Sequence, residues 1–543
     1  MEGTPIITHE YILTNPPKRK IQITESVAEF ILQQIKKFGN TQALVHSLTD
    51  EGITYNEIIT QTMCIATSLT KKGVRPGDVI GICSENRLEY ASTILGILAI
   101  GATCAPLNPI YTTNELLHVL SISKPAWIFC SPFTLDKINE IKLKVTFIKE
   151  LFLYGDPEFN RKFTPFEQFL KMPVDTKTFK TLKLNINESV AFLFCSSGTT
   201  GLPKCVELTH ANFMNLLNFI MLLWSKEEAG QKRVTLGLIP FFHGYGLCIL
   251  SLSLLLQILN VVMPRFDEEN FLYSIQKYKI TNLYVVPPIV VFLGKHPLVS
   301  KYDLSSVRKL VCGAAPLSKE TQINAQKRLK LNFDIQQGYG MTELSICCVA
   351  FQSDVKKVGS SGTIAPGMEL KVVDIETGKT QPPYGQGELC FRGPFVMKGY
   401  KNNPKATSET FDAEGWFHTG DIGYYDNDGF IYIVSRLKEL IKYKGFQVAP
   451  AELETILLDH PSVKDAAVIG VPDEEAGELP LAFVVKQPGA KISGEEIKQF
   501  VASKVSPQKR LNGGVKFIDE IPKNPSGKIL RRVLHGMLKK SKL

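Results

Sequence analysis

A chain of 543 residues is too long for one hydrophobic core, so two or more domains are expected. With 44% hydrophobic and 21% charged residues it has the make-up of a folded globular protein, which excludes a disordered chain. The net charge of +9 is modest for this length and no dense basic run interleaved with aromatics occurs, so no nucleic-acid partner is expected; an anionic small molecule suits the sign.

Residues 1–19 are polar and proline-bearing, without the apolar core of a secretory signal. Residues 26–38 place Val27, Phe30, Ile31, Ile35 and Phe38 on one helical face, and Gly39 stops the helix. Strand-like and helical patches then alternate. Residues 79–83 are predicted as a strand, 89–99 as an apolar helix, 101–107 as extended chain and 189–194 as a buried strand. The longest apolar stretch, 247–263, is interrupted by Ser251, Ser253, Gln257 and Asn260 and followed by Pro264; it predicts buried helix and strand, not a membrane span. Residues 283–288 and 309–312 continue the rhythm, and near-continuous apolar strands between helices predict a parallel sheet covered on both faces. No short-period repeat is present, which excludes a solenoid.

Beyond residue 355 the texture turns β-rich, with strands predicted at 370–374, 387–391 and 431–434 and a turn at Asp428-Gly429. Residues 435–439 form a charged connector. A small α+β unit follows, in which Pro450 opens a helix bearing Leu453, Ile456 and Leu457, residues 466–471 and 481–485 are strands, and Ser493 with Glu496 makes a capping box. The fold class is therefore α/β: a large N-terminal domain, residues 1–434, of parallel α/β layers plus a β-rich subdomain, then a small α+β C-terminal domain, 438–543, across a connector at 435–437.

The eleven cysteines are scattered in apolar settings without CxxC or Cys/His zinc spacing, and read as reduced core residues of an intracellular protein. The terminal tripeptide Ser541-Lys542-Leu543 reads as a peroxisomal address, so the expected location is the peroxisome and an expected partner is its import receptor.

Chemistry concentrates in a few strings. In Phe194-Cys195-Ser196-Ser197-Gly198-Thr199-Thr200-Gly201-Leu202-Pro203-Lys204 a strand breaks into a loop whose glycines let backbone N–H groups approach an anion, whose hydroxyls add donors, and whose lysine meets a polyphosphate. It lacks the Gly-Lys-Ser/Thr ending of a Walker A loop. Gly313-Ala314-Ala315-Pro316-Leu317 offers backbone against which a planar ring can pack, and equally reads as a plain strand-to-helix turn. In Gln337-Gly338-Tyr339-Gly340-Met341-Thr342-Glu343, Tyr339 supplies an aromatic face and hydroxyl, Thr342 a phosphate donor, and Glu343 a hard oxygen ligand for Mg2+. Asp421 lies in a Gly-framed turn, where the plain reading is an Asx cap. His243 sits among aromatics in Pro240-Phe241-Phe242-His243-Gly244-Tyr245-Gly246, as a packed core histidine would. Lys528, in Asn524-Pro525-Ser526-Gly527-Lys528-Ile529, lies in the small domain.

The eleven-residue loop resembles the AMP-binding signature of the adenylate-forming superfamily of acyl-CoA synthetases, 4-coumarate:CoA ligases and beetle luciferases, and the YGxTE string and residues 441–452 extend the match over about residues 25–543. The C-terminal strings look most like insect luciferase-like fatty acyl-CoA synthetases. The resemblance implies ATP, Mg2+ and CoA as cofactor and co-substrates, with adenine against Gly313 to Ala315, ribose held by Asp421 and Arg436, and His243 guarding the acyl pocket. It implies that Lys528 serves adenylation from a mobile lid hinged at 435–437. On the lid's opposite edge Lys442 would face the same pocket after rotation, with Gly445 leaving room for the pantetheine arm of CoA. A carboxylate would attack the α-phosphorus of ATP, pyrophosphate would leave toward the signature loop, and CoA would then take the acyl group.

Two departures stand out: Cys205 replaces the glycine that normally follows the signature lysine, and Ser435 replaces the usual hinge aspartate. Where luciferases carry a luciferin-site arginine and serine this chain has Leu216 and Ile346, so the pocket expected from Leu216, His243, Tyr245 and Ile346 favours an alkyl tail. The function expected is a fatty acyl-CoA synthetase, ahead of an arylpropenoate ligase and a weakly luminous luciferase-like monooxygenase. A silent nucleotide-binding scaffold is disfavoured by Lys204, Glu343, Asp421, Arg436 and Lys528 together, and a serine hydrolase by the lack of a GxSxG elbow.

Overall fold

The computed structural model describes residues 5–17, 23–155, 163–196, 203–224, 232–350 except 316, 318 and 332, 357–444, 446–524 and 527–540. Val79–Cys83, Thr103–Leu107 and Trp127–Cys130 run parallel, with Ile80 level with Cys104 on one side and Trp127 on the other. These strands are buried on both faces, which is why they read as apolar runs without alternation. They form the middle of an eight-stranded sheet that also carries the antiparallel pair Val190–Ser196 and Lys204–Thr209.

A seven-stranded sheet runs in the order Gln336–Gln337, Lys309–Cys312, Asn282–Val285, Val234–Gly237, Leu259–Val262, Gln42–His46, Gly52–Thr54. One apolar cluster is shared by both sheets and the helices on them, including Glu89–Ala99, His210–Trp224 and Gly244–Leu255. The expected helix at 26–38 is α-helical over Val27–Ile35, capped by the Ser26 side chain, and tightens to a 3-10 turn at Lys36–Phe38 before Gly39 at φ 57°.

The β-rich part is a six-stranded antiparallel sheet ending in Phe417–Tyr425 and Ile431–Arg436. Arg436 is still a strand residue; a 3-10 turn, Leu437–Glu439, then leads to Ile441–Tyr443, the first strand of a separate five-stranded sheet. In that sheet Ala466, Val468, Ala482 and Val484 pack into one cluster and Ala467, Ile469, Leu481 and Phe483 into another, as the two-residue period of a strand requires. The helices Pro450–Asp459 and Gly494–Ala502 cover the first face and Arg531–Lys540 the second. The Ser493–Glu496 capping box is formed. Among the described residues no helix is long and apolar enough to cross a membrane.

Candidate active site

Strand order fixes where a ligand can sit. Val234–Gly237 lies between Asn282–Val285 and Leu259–Val262, so the chain leaves this region of the sheet in opposite directions and opens a crevice beyond the carboxyl ends of the strands. Pro240 and Phe242 to Tyr245 after Val234–Gly237, Gly313 and Ala314 after Lys309–Cys312, and Gln337 to Glu343 at the end of Gln336–Gln337 line a cavity of about 1720 Å³. Arg436 to Ile441, Lys523, Asn524 and Lys528 to Val533 close it from the connector and the small domain.

The cavity wall is built under steric constraint. A Cβ on Gly340 would lie 2.1 Å from the Ile346 carbonyl oxygen, and one on Gly244 would lie 2.3 Å from Ile346 Cγ1. Ile346 itself sits at φ 78°, next to Ser345 at φ 50°, and Ala314 across the cavity has φ 71°. A left-handed β-branched residue is an outlier that surrounding packing must hold in place, and such strain gathers at functional sites.

Three polar groupings face this space. In the first, Glu343 is only 5% exposed and accepts a hydrogen bond from the Tyr400 hydroxyl at 3.0 Å, while Lys204 Nζ lies 4.6 Å from the centre of the Tyr400 ring. Thr342 is the neighbouring residue on the same 3-10 turn. In the second, strand pairing sets Asp421 opposite Arg436; Tyr339 donates to Asp421 Oδ2 at 2.8 Å and Arg436 Nε approaches Oδ1 at 3.3 Å. Burial pushes the Asp421 carboxyl up, against the opposing pull of Arg436 and the Tyr339 hydroxyl.

The third is Lys528, whose segment is folded by the Asn524 side chain accepting from the Lys528 N–H at 2.8 Å. Burial, and after it Arg436, bring the Lys528 ammonium down to about 8. Gly527, at φ 79°, rests against Val286 and Pro288 of the large domain, where a Cβ would come within 3.2 Å of both. Lys295 reaches across the same seam, donating to the Leu458 carbonyl at 2.5 Å and to that of Val463 at 3.3 Å.

His243 caps the helix Gly244–Leu255, its Nδ1 accepting the Tyr245 N–H at 3.3 Å, and burial lowers it to about 4. The ring is therefore neutral at physiological pH, with the proton on Nε2. Tyr245 covers Gly313, whose Cβ position lies 3.6 Å from its ring. Part of the remaining wall is apolar, with Ile220, Leu223 and Trp224 from one helix and Cys248, Ile249 and Leu252 from the next, while Arg233, Arg308 and Lys309 also line the cavity and Lys309 Nζ lies 3.8 Å from the centre of the Trp224 ring.

Of the residues singled out from sequence, Lys204, His243, Tyr245, Gly313, Ala314, Gln337, Gly338, Tyr339, Gly340, Thr342, Glu343, Ile346, Arg436 and Lys528 line the cavity. Leu216 does not. It is fully buried in the core, and the wall begins one helical turn later at Ile220, the next residue on its face. Ala315, after the left-handed Ala314, is also off the wall, and Asp421 stands behind Tyr339, Gly420 and Arg436. Lys442 is exposed on the strand Ile441–Tyr443 with its N–H bound to Glu478, and does not itself line the cavity, although Ile441 and Glu478 do. Ser197, Gly198, Thr199, Thr200, Gly201, Gly445 and the tail 541–543 lie outside the described residues, as does the Ser196 side chain. The sequence reading missed Tyr400, which ties Lys204 to Glu343; an isolated tyrosine after a glycine carries no local signal of that contact.

A two-domain α/β molecule with a nucleotide-sized crevice at the strand ends, closed by a lysine from the smaller domain, is the architecture of an adenylate-forming enzyme. The family model of the AMP-binding enzymes matches residues 31–401, and that of the AMP-binding enzyme C-terminal domain matches 452–528. The luciferin 4-monooxygenase of Nipponoluciola cruciata is 41% identical over 502 residues, 92% of this chain and 91% of that one. 4-coumarate–CoA ligase 1 of Petroselinum crispum is 39% identical over 522 residues, 94% and 93% of the two chains. Among solved structures, ATP-bound MatB from Rhodopseudomonas palustris superposes with a TM-score of 0.84 at 27% identity, covering 94% of this chain and 99% of that one. The luciferase-like enzyme of the nonluminescent Zophobas morio mealworm gives 0.71 at 29% identity, covering 79% and 100%. The chain belongs to the AMP-binding, adenylate-forming family of ATP-using acid–CoA ligases.

Proposed function

We propose that this protein is a fatty acyl-CoA synthetase acting on medium- to long-chain acids. The observation that carries the reading is a single cavity with two characters. Its lining includes Lys528, Thr342, Glu343 and neutral His243 on the one hand, and an apolar set, Ile220, Leu223, Cys248, Ile249, Leu252 and Ile346, on the other. An alkyl chain buries against such a wall at about 0.8 kcal/mol per methylene.

In the first half-reaction an oxygen of the fatty acid attacks the α-phosphorus of ATP, the bond to the β-phosphate breaks, and pyrophosphate leaves toward Lys204. Lys528 balances the charge that builds between carboxylate and phosphate. The Tyr339–Asp421–Arg436 group holds the ribose, and His243 donates its Nε2 proton as a hydrogen bond beside the carboxylate. Glu343, a buried carboxylate next to Thr342 in the chain, fits Mg2+, a hard cation that takes few protein ligands. Bound there, Mg2+ would offset phosphate charge. In the second half-reaction the lid turns, Lys528 withdraws, and Lys442 and Gly445 reach the pocket. The CoA thiolate then attacks the acyl carbonyl, the bond to AMP breaks, and the thioester forms. Ser541-Lys542-Leu543 would address the enzyme to the peroxisome through its import receptor; deleting the three residues should leave it in the cytosol, and continued import would remove that part of the proposal.

The resemblance to plant 4-coumarate–CoA ligases supports a second reading, an arylpropenoate as the acid. The deciding experiment measures ATP- and CoA-dependent turnover over a series of straight-chain acids with 4-coumarate and firefly luciferin in parallel. Turnover that rises with chain length supports the fatty acid reading; preference for 4-coumarate replaces it, and no pyrophosphate release with any acid overturns both.

A further inference from the structure

The strands Val190–Ser196 and Lys204–Thr209 set Cys195 level with Cys205, and their sulfurs lie 3.4 Å apart. Both are free thiols. They form the cross-strand pair next to Ser196 and Lys204, which stand at the mouth of the hairpin whose loop carries the AMP-binding signature. Cys195 lines the large cavity, whereas Cys205 is buried in the apolar cluster beneath it. Directly opposed residues in an antiparallel pair have Cβ atoms about 4.5–5.5 Å apart, and a disulfide needs about 3.5–4.5 Å with an S–S bond of about 2.05 Å. The 3.4 Å separation therefore closes with small side-chain rotations and a slight approach of the strands.

We propose that Cys195 and Cys205 are a reversible oxidation site, at which a hydroperoxide converts the two thiols to a cross-strand disulfide that fixes the stem of the phosphate loop and slows ATP turnover. The proposal rests on the reading of residues 196–204 as the part of the site that meets the ATP phosphates. Cys195 reacts first, because a small oxidant reaches it from the cavity. Its thiolate attacks one peroxide oxygen, the O–O bond breaks, and a sulfenic acid forms as an alcohol or water leaves. The Cys205 sulfur then attacks Cys195 sulfur, the S–O bond breaks, a second water leaves, and the S–S bond forms. Two electrons pass from the thiols to the peroxide, and a dithiol reductant returns both. The adjacent Cys205 thiol, and then burial, hold the Cys195 thiol well above its usual range, so the site answers sustained rather than trace oxidant.

The consequence for catalysis follows from what adjoins the pair. Lys204 is the next residue after the loop, its ammonium lies over the Tyr400 ring, and the Tyr400 hydroxyl is bound to Glu343. Drawing the two strands together one residue away displaces that lysine relative to the carboxylate.

The test uses the full-length enzyme treated with hydrogen peroxide, then alkylated, digested and examined by mass spectrometry, with pyrophosphate exchange measured in parallel. Expected are a peptide pair joined through Cys195 and Cys205, a fall in exchange of about tenfold, which equals about 1.4 kcal/mol, and recovery on adding dithiothreitol. C205G and, separately, C195A should keep their own exchange rates through the same treatment. Failure of the joined peptide to form overturns the site. A joined peptide with unchanged exchange overturns its effect on ATP turnover, and oxidant sensitivity retained by both variants places the sensitive thiol elsewhere. Reduced enzyme with no exchange at all overturns the adenylation reading instead.

Discussion

Lys528 sits where burial and Arg436 work against its own charge, and that gives it a pH signature. A lysine brought down to about 8 is charged below that pH and loses its charge as pH rises through it. If the ammonium is needed only for adenylation, kcat/KM for ATP in pyrophosphate exchange should fall on the alkaline side with a limb near about 8. Lys528→Arg, which stays charged, should be slower but lack that limb. Lys528→Ala should abolish exchange yet form thioester from supplied acyl-adenylate and CoA; equal loss of both steps would refute the division of labour. His243 contributes no limb above about pH 5, since burial already holds it neutral. A second residue-scale prediction concerns Tyr400, the donor to buried Glu343. Tyr400→Phe leaves that carboxylate short of a partner and should raise KM for ATP by at least about tenfold, in line with about 1.5–3 kcal/mol for a hydrogen bond to a charged group.

Elements decide how rigidly those residues are presented. The turn from Gly340 to Ile346 closes on itself so tightly that a methyl group on Gly340 meets the Ile346 carbonyl at 2.1 Å. Gly340→Ala should therefore cost at least about 2 kcal/mol, read as a lower melting temperature together with lost adenylation. An unchanged melting temperature would mean that the turn relaxes without cost. Local sequence gave the parallel strands directly, because strands such as Thr103–Leu107 are buried throughout and show unbroken apolar runs. The Ser493–Glu496 box was legible for a different reason: capping is settled within four residues. The pocket wall was less legible. Leu216 and Ile220 share one helical face, and which turn of that face reaches the cavity depends on the helix beside it, not on the string of letters. Ile346 could be placed near the acyl site by motif, but its left-handed backbone could not, since nothing in Ser345-Ile346-Cys347 announces it.

For the whole molecule the deciding surface is the seam between the two domains. Lys295 donates to two carbonyls of the small domain there, and Gly527 packs on Val286 and Pro288. Lys295→Ala should lower pyrophosphate exchange several-fold by weakening this docked arrangement, while thioester formation from supplied acyl-adenylate changes little; a matching fall in the second step would show that the contact is merely structural. Sequence texture marked the connector by its charge, but not that Arg436 belongs to the sheet before it. That small displacement matters. Arg436 is fixed beside Asp421 by strand pairing, and the change of sheet comes only after it, at Leu437–Glu439. On the proposed turn of the small domain, a pivot at Leu437–Glu439 would leave the Tyr339–Asp421–Arg436 group stationary with the large domain. On that proposal, an activated intermediate would stay attached to the body of the enzyme while one set of reagents is exchanged for another.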